Sequence, residues 1–200
     1  MKRGKREFGN GLQVESIGER NSMIGSTRWD AAVNAALAEA RETLASAVDA
    51  PSGVGVRTGP AAARSGIDIP IGAVVLGPAG EVLGSGHNER EANGDPMAHA
   101  EVLAMRRASA RRGTWNLSGC TLAVTLEPCP MCAAAAVMAH VERIVFGAWD
   151  VKLGACGSVW DIPRDPHMGA HPEVIGGVEE DACRKLLEGF FAAQRPPFTR

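Results

Sequence analysis

The chain has 200 residues, 45% of them hydrophobic, with 21 Lys and Arg against 23 Asp and Glu for a formal net charge of -2. That size suffices for one domain with a sizeable core and requires no second one. A near-balanced charge excludes a bulk affinity for nucleic acid, so any footprint on RNA has to be local; five cysteines without framework spacing exclude a disulfide scaffold and fit a reducing, cytoplasmic setting.

Residues 1–27 read as a loose, disordered extension. Its basic cluster, Lys2, Arg3, Lys5 and Arg6, runs into Glu7, Gly9 and Asn10 with no apolar segment behind it, which fits a solvated tail better than a secretory signal or an RNA-binding arm. From 28 to 195 the chain reads as one domain. Trp29, Val33, Leu37, Ala40, Leu44 and Val48 recur every three or four positions and predict an amphipathic helix. Residues 50–66, rich in Gly, Ala, Ser and Pro, follow as a flexible insertion.

Ile69 to Leu76 reads as a buried strand, Gly77-Pro78-Ala79-Gly80 as a turn and Glu81 to Gly86 as the hairpin partner. A helical pattern runs from His99 to Arg112 and a strand from Thr121 to Leu126; an Ala-rich helix follows from Cys132 to His140 and a strand from Arg143 to Phe146. A long loop leads to a short strand at Glu173 to Ile175. Glu179 to Ala193 closes the domain as a helix with Ala182, Leu186, Leu187 and Phe190 inward, and 196–200 is a tail. Alternating helices and strands predict an α/β layered domain with a mixed sheet covered by helices. The longest apolar run, Ala133 to Ala139, is too short for a bilayer, so a soluble protein is expected.

Two motifs carry chemistry: His99-Ala100-Glu101 and Pro128-Cys129-Pro130-Met131-Cys132. One imidazole and two thiolates give a zinc ion three protein ligands, and a catalytic zinc keeps its fourth place for water where a structural one fills it with protein. His99 stands at the head of one predicted helix and both sulfurs near the head of another, where free N–H groups and the positive end of the dipole favour thiolate. Glu101, two residues past the ligand, faces a different side of the helix, so it should miss the metal and reach the bound water. Rival readings are a redox C-x-x-C pair and a structural zinc site with His87 or His140 as fourth ligand.

The H-x-E and P-C-x-x-C pair is the known signature of zinc-dependent nucleobase deaminases. Further segments narrow it: Gly86-His87-Asn88-Glu89-Arg90, Asp95-Pro96-Met97-Ala98 before His99, Leu126-Glu127 before Pro128, and Val145 to Lys152 with Gly154 to Ser158. Over Trp29 to Gln194 the chain resembles the bacterial tRNA-specific adenosine deaminases, within the cytidine and deoxycytidylate deaminase superfamily.

The resemblance implies a cytidine-deaminase-like three-layer sandwich with a five-stranded mixed sheet, a homodimer, and one zinc per subunit held by His99, Cys129 and Cys132. It implies attack by zinc-activated water at C6 of the wobble adenosine in the anticodon stem-loop of an arginine tRNA, with Glu101 as proton carrier. Asn88 is expected to hydrogen-bond the base, and Asp150 and Lys152 to lie in the loop beside the flipped nucleotide. Arg106, Arg107, Arg111, Arg112 and Arg143 are further candidates for phosphate contacts, although helical arginines more often form a solvated face. Met97 and Gly169-Ala170-His171 depart from the family pattern, the second removing side chains expected near the RNA. Two alternatives stay open: a small-molecule deaminase acting on guanine or cytosine, and a zinc-stabilised RNA-binding module without catalysis.

Overall fold

The computed structural model describes residues 17–48 and 66–194; the basic cluster at the start, residues 50–65 of the insertion and the 196–200 tail lie outside them. Its centre is a run of strands apolar on both faces. In β1 (Gly72–Leu76), β3 (Thr121–Leu126) and β4 (Arg143–Ala148) successive side chains alternate between two separate core clusters. Ala73, Val75, Leu122, Val124, Ile144 and Phe146 point one way, and Val74, Ala123 and Val145 point the other. A strand buried on both sides needs helices on both sides.

Those helices are α1 (Ile17–Val48) and α5 (Glu180–Gln194) over one face, with α3 (Ala100–Arg112) and α4 (Pro130–Met138) over the other. The strand order is β2-β1-β3-β4-β5, with β2 (Val82–His87) at one edge and β5 (Glu173–Ile175) at the other. β1 runs antiparallel to β2 and β3, whereas β3, β4 and β5 are mutually parallel. This is the mixed five-stranded, three-layer sandwich. Phe146 is fully buried in its middle, and its truncation to Ala would cost about 3–5 kcal/mol.

Helix and sheet approach closely where a strand residue lacks a side chain. A Cβ on Gly84 would lie 2.4 Å from the Ala104 carbonyl oxygen, so glycine lets α3 settle onto edge strand β2. α4 joins the parallel pair β3 and β4. The two polypeptide ends that matter, the starts of α3 and α4, therefore lie on the same side of the sheet.

Several element bounds differ from expectation. α4 starts at Pro130, where a ring without N–H suits the first helical position, and ends at Met138; His140 sits beyond it with φ 58. α1 begins at Ile17, inside the stretch read as an extension. A one-turn helix, α2 (Arg90–Asn93), was not foreseen because four residues carry no period. On α5 the fully buried residue is Cys183, between Ala182 and Leu186, while Leu187 and Phe190 are only half-buried.

Candidate active site and metal centre

His99 and Cys129 occupy equivalent places, each the residue before a helix. Both have extended backbone, φ -76 and ψ 148 at His99 and φ -69 and ψ 170 at Cys129, and neither side chain caps its own helix. Freed from capping, they face one another. Nδ1 of His99 lies 3.7 Å from the Cys129 sulfur and 3.5 Å from the Cys132 sulfur, Cys132 being in the first turn of α4. Bonds of typical Zn–S and Zn–N length at a tetrahedral angle separate nitrogen from sulfur by about 3.6 Å. The donor set and its spacing thus fit zinc.

This trio is the one group of metal-binding side chains among the described residues, its donor atoms all within 4.8 Å of one another. Neither His87 nor His140, the candidate fourth ligands, belongs to this group. His87 lies 3.9 Å from Glu39 and 4.0 Å from Glu89, and the His140 ring lies tilted against Trp115 with centroids 5.5 Å apart. Three protein donors is the count of a catalytic zinc site.

The electrostatics of the protein groups support the same reading. Hydrogen bonding from Cys132, and then from His99, holds the Cys129 sulfur as thiolate with a pKa pushed down to about 4, against the opposing effect of burial. That shared contact, together with burial and the charge of Glu101, raises Cys132, so without metal the pair carries one negative charge. His99 is raised chiefly by its hydrogen bond to Cys129. Glu101, in the first turn of α3 and 4% exposed, is raised to about 7 mainly by burial and further by the charge on Cys129. Its carboxylate is not part of the converging donor set. A buried acid titrating near neutrality beside a metal site is suited to carry protons.

Asn88 follows the last residue of β2 and is 6% exposed. Its Oδ1 accepts the backbone N–H of Ala100 at 3.0 Å, tying it to the peptide between His99 and Glu101. Asp150 and Lys152 lie on the loop after β4, outside the converging group. Asp150 Oδ1 accepts the backbone N–H groups of Lys152 at 2.9 Å and Leu153 at 3.3 Å, so Asp150 shapes the turn that leaves Lys152 exposed. The loop meets the zinc segment where Ala155 N–H donates to the Pro128 carbonyl at 2.8 Å.

Most candidate phosphate-binding arginines are committed to other partners. Arg107 donates to Ser85 O at 2.8 Å and to Glu89, Arg111 to Val82 O at 2.7 Å, and Arg112 to Ser118 O and the Cys120 sulfur. Arg143 bonds Glu173, Thr121 and Glu142, with its guanidinium 5.1 Å from the Trp29 ring centroid. One residue that sequence reasoning missed is Glu127, 2% exposed, whose carboxylate accepts donors from Asp150, Cys156 and Ser158. Its signal was an acid at the end of an apolar strand, directly before Pro128-Cys129.

Comparison with known proteins agrees with this geometry. Residues 59–148 match the cytidine and deoxycytidylate deaminase zinc-binding region. The chain is 44% identical over 128 residues to tRNA-specific adenosine deaminase of Bacillus subtilis, covering 64% of this chain and 79% of that one. It is 53% identical over 124 residues to a protein of Deinococcus deserti described as tRNA(Ile)-lysidine synthase, covering 62% of this chain but 23% of the other's length. A solved structure from work on A-to-I editing by tRNA:A34 deaminases at the wobble position of transfer RNA superposes with a TM-score of 0.61 and 34% identity, covering 76% of this chain and 95% of that one. With the extent of the Bacillus subtilis match added to the zinc-ligand geometry, this chain belongs to the tRNA-specific adenosine deaminase family of zinc-dependent deaminases.

Proposed function

We propose that the protein converts adenosine to inosine by hydrolysis at the wobble position of a tRNA anticodon, that of an arginine tRNA, acting as a cytoplasmic homodimer. The observation that carries this reading is the buried Glu101 carboxylate in the first turn of α3, two residues after His99, which converges with Cys129 and Cys132. Similarity to proteins described as tRNA-specific adenosine deaminases supplies the substrate class. Among the described residues no helix is long and apolar enough to cross a membrane.

His99, Cys129 and Cys132 would hold the zinc, which when bound supplies a Lewis acid able to acidify water toward neutral pH. Glu101 takes a proton from the attacking water, delivers it to N1 of the adenine, and then helps protonate the amine that leaves C6. Water is consumed and ammonia released. Burial, which favours the protonated form, suits a carboxyl that must take up a proton and then give it back. Asn88 keeps Oδ1 on Ala100 and offers its amide N–H groups to an acceptor on the base edge. Lys152 places a cation on the exposed rim, where it meets phosphate, while Asp150 holds the turn that presents it.

The test is direct. Incubated with an anticodon stem-loop bearing a wobble adenosine, the protein yields inosine and ammonia. Turnover of free guanine or cytosine with none of the stem-loop transfers it to the small-molecule deaminases, and stem-loop binding without turnover makes it a non-catalytic module.

A further inference from the structure

We infer that Glu127 is a positioning residue that sets the substrate-facing loop, Trp149 to Trp160, in register with the zinc ligand Cys129. The inference rests on the deaminase reading above, and it begins from a buried acidic side chain that the chemistry does not use. Glu127 follows Leu126, the last residue of β3, two residues before Cys129, and is 2% exposed. Burying a carboxylate costs several kcal/mol unless its oxygens are satisfied, so its partners reveal what it is for.

Those partners all come from one loop. Oε1 accepts the backbone N–H of Cys156 at 2.9 Å and of Ser158 at 3.0 Å. Oε2 accepts the backbone N–H of Asp150 at 3.1 Å and the hydroxyl of Ser158. The loop also passes over the carboxylate itself, since a Cβ on Gly154 would lie 2.2 Å from Oε2. The next residue repeats the attachment, with the Pro128 carbonyl accepting from Ala155. Donors from both ends of the loop thus converge on one acceptor-only group, for which an amide would be a poor replacement because its NH2 would face N–H.

This clamp fixes what the loop presents. Between its anchored ends it exposes Val151 at 81% and Leu153 at 55%, on either side of Lys152, with Trp149 at 45% and Trp160 at 47% at its margins. A base and a phosphate approaching the zinc would meet these groups at positions referred, through Glu127 and Pro128, to Cys129. Removing the clamp therefore blurs the placement of RNA and spares the proton transfer made by Glu101.

The experiment compares Glu127→Gln and the milder Ser158→Ala with wild type, using the zinc-loaded protein and the stem-loop. Glu127→Gln is expected to raise KM about tenfold with kcat changed by less than about threefold and zinc content intact, and Ser158→Ala to raise KM by a smaller factor. Trypsin cleavage after Lys152, followed on the free protein, should be faster in Glu127→Gln than in wild type. An unchanged KM, a fall confined to kcat, or loss of zinc at unchanged KM overturns the inference. If wild type does not turn over the stem-loop, the substrate reading fails, and cleavage at Lys152 alone decides the clamp: an unchanged rate refutes it.

Discussion

Asn88 and Ala100 are joined by a 3.0 Å hydrogen bond from a backbone N–H to a side-chain oxygen, and that bond lies between His99 of the metal-binding trio and Glu101, the proposed proton carrier. A helix start leaves its first N–H groups without intrahelical partners. Here one of them is satisfied from the end of β2, which fixes where α3 begins and hence where His99 and Glu101 point. Asn88 so acts on the fold through its oxygen and is assigned to the substrate through its nitrogen.

The two roles can be separated. Asn88→Ala leaves the buried Ala100 N–H unpaired and should cost about 1–2 kcal/mol of stability as well as activity. Asn88→Asp keeps the acceptor but loses the donor. The Ala100 N–H stays paired, the new buried carboxylate costs some stability of its own, and kcat/KM should fall by about 10–100-fold. Full activity in Asn88→Asp would remove the base contact from the mechanism.

Glu101 makes the stability of the protein depend on pH. Burial raises it from 4.5 to about 7 in the metal-free protein, so folding favours its protonated form. For a carboxyl raised in this way, stability is fully present below the unfolded value and is lost as pH climbs through about 7. The shift corresponds to a loss on the order of 3 kcal/mol. Glu101→Gln should escape it. Urea unfolding of the metal-free proteins from pH 5 to pH 8 should show the variant gaining on wild type as pH rises. With zinc restored, the same variant should retain its metal and lose turnover by several orders of magnitude. Loss of zinc, or stability curves that stay parallel, contradicts this account.

The grouping of His99, Cys129 and Cys132 was legible because the spacing is local: H-x-E and C-x-x-C each lie within one turn of a helix start, and the chain places those starts together. Strand-helix order was legible for a similar reason, each buried strand being a short apolar run. Glu127 was not, because its partners Asp150, Cys156 and Ser158 stand 23, 29 and 31 residues away in a loop with no period. α4 starts at Pro130, two residues before the Cys132 start read from the Ala-rich run, because that run does not mark a proline serving as the first helical residue. Nor could composition tell phosphate-binding arginines from structural ones, since that depends on which strand becomes the sheet edge.

Arg107 and Arg111 illustrate that dependence. β2 is an edge strand, and its outward carbonyls at Ser85 and Val82 are covered by these two guanidinium groups at 2.8 and 2.7 Å. An uncovered edge is a template for pairing with another chain. Arg107→Ala with Arg111→Ala should therefore lower the concentration at which the protein aggregates on warming, while the KM for the stem-loop changes by less than about twofold. A large rise in that KM, measured at low concentration, would return both arginines to the RNA-binding surface.

Cys129 should betray the state of the metal site through its reactivity. In metal-free protein its sulfur is thiolate down to about pH 4, held by donors from Cys132 and His99. Buried Cys183, pushed up to about 11, is almost wholly thiol at pH 6. Iodoacetamide at that pH should alkylate Cys129 first, at a rate that is level from pH 8 to pH 5 and falls only as pH approaches 4. Zinc should suppress the reaction by occupying the lone pair that attacks. Peptide mapping by mass spectrometry reads both effects, and labelling of Cys129 that is indifferent to zinc would remove it from the ligand set.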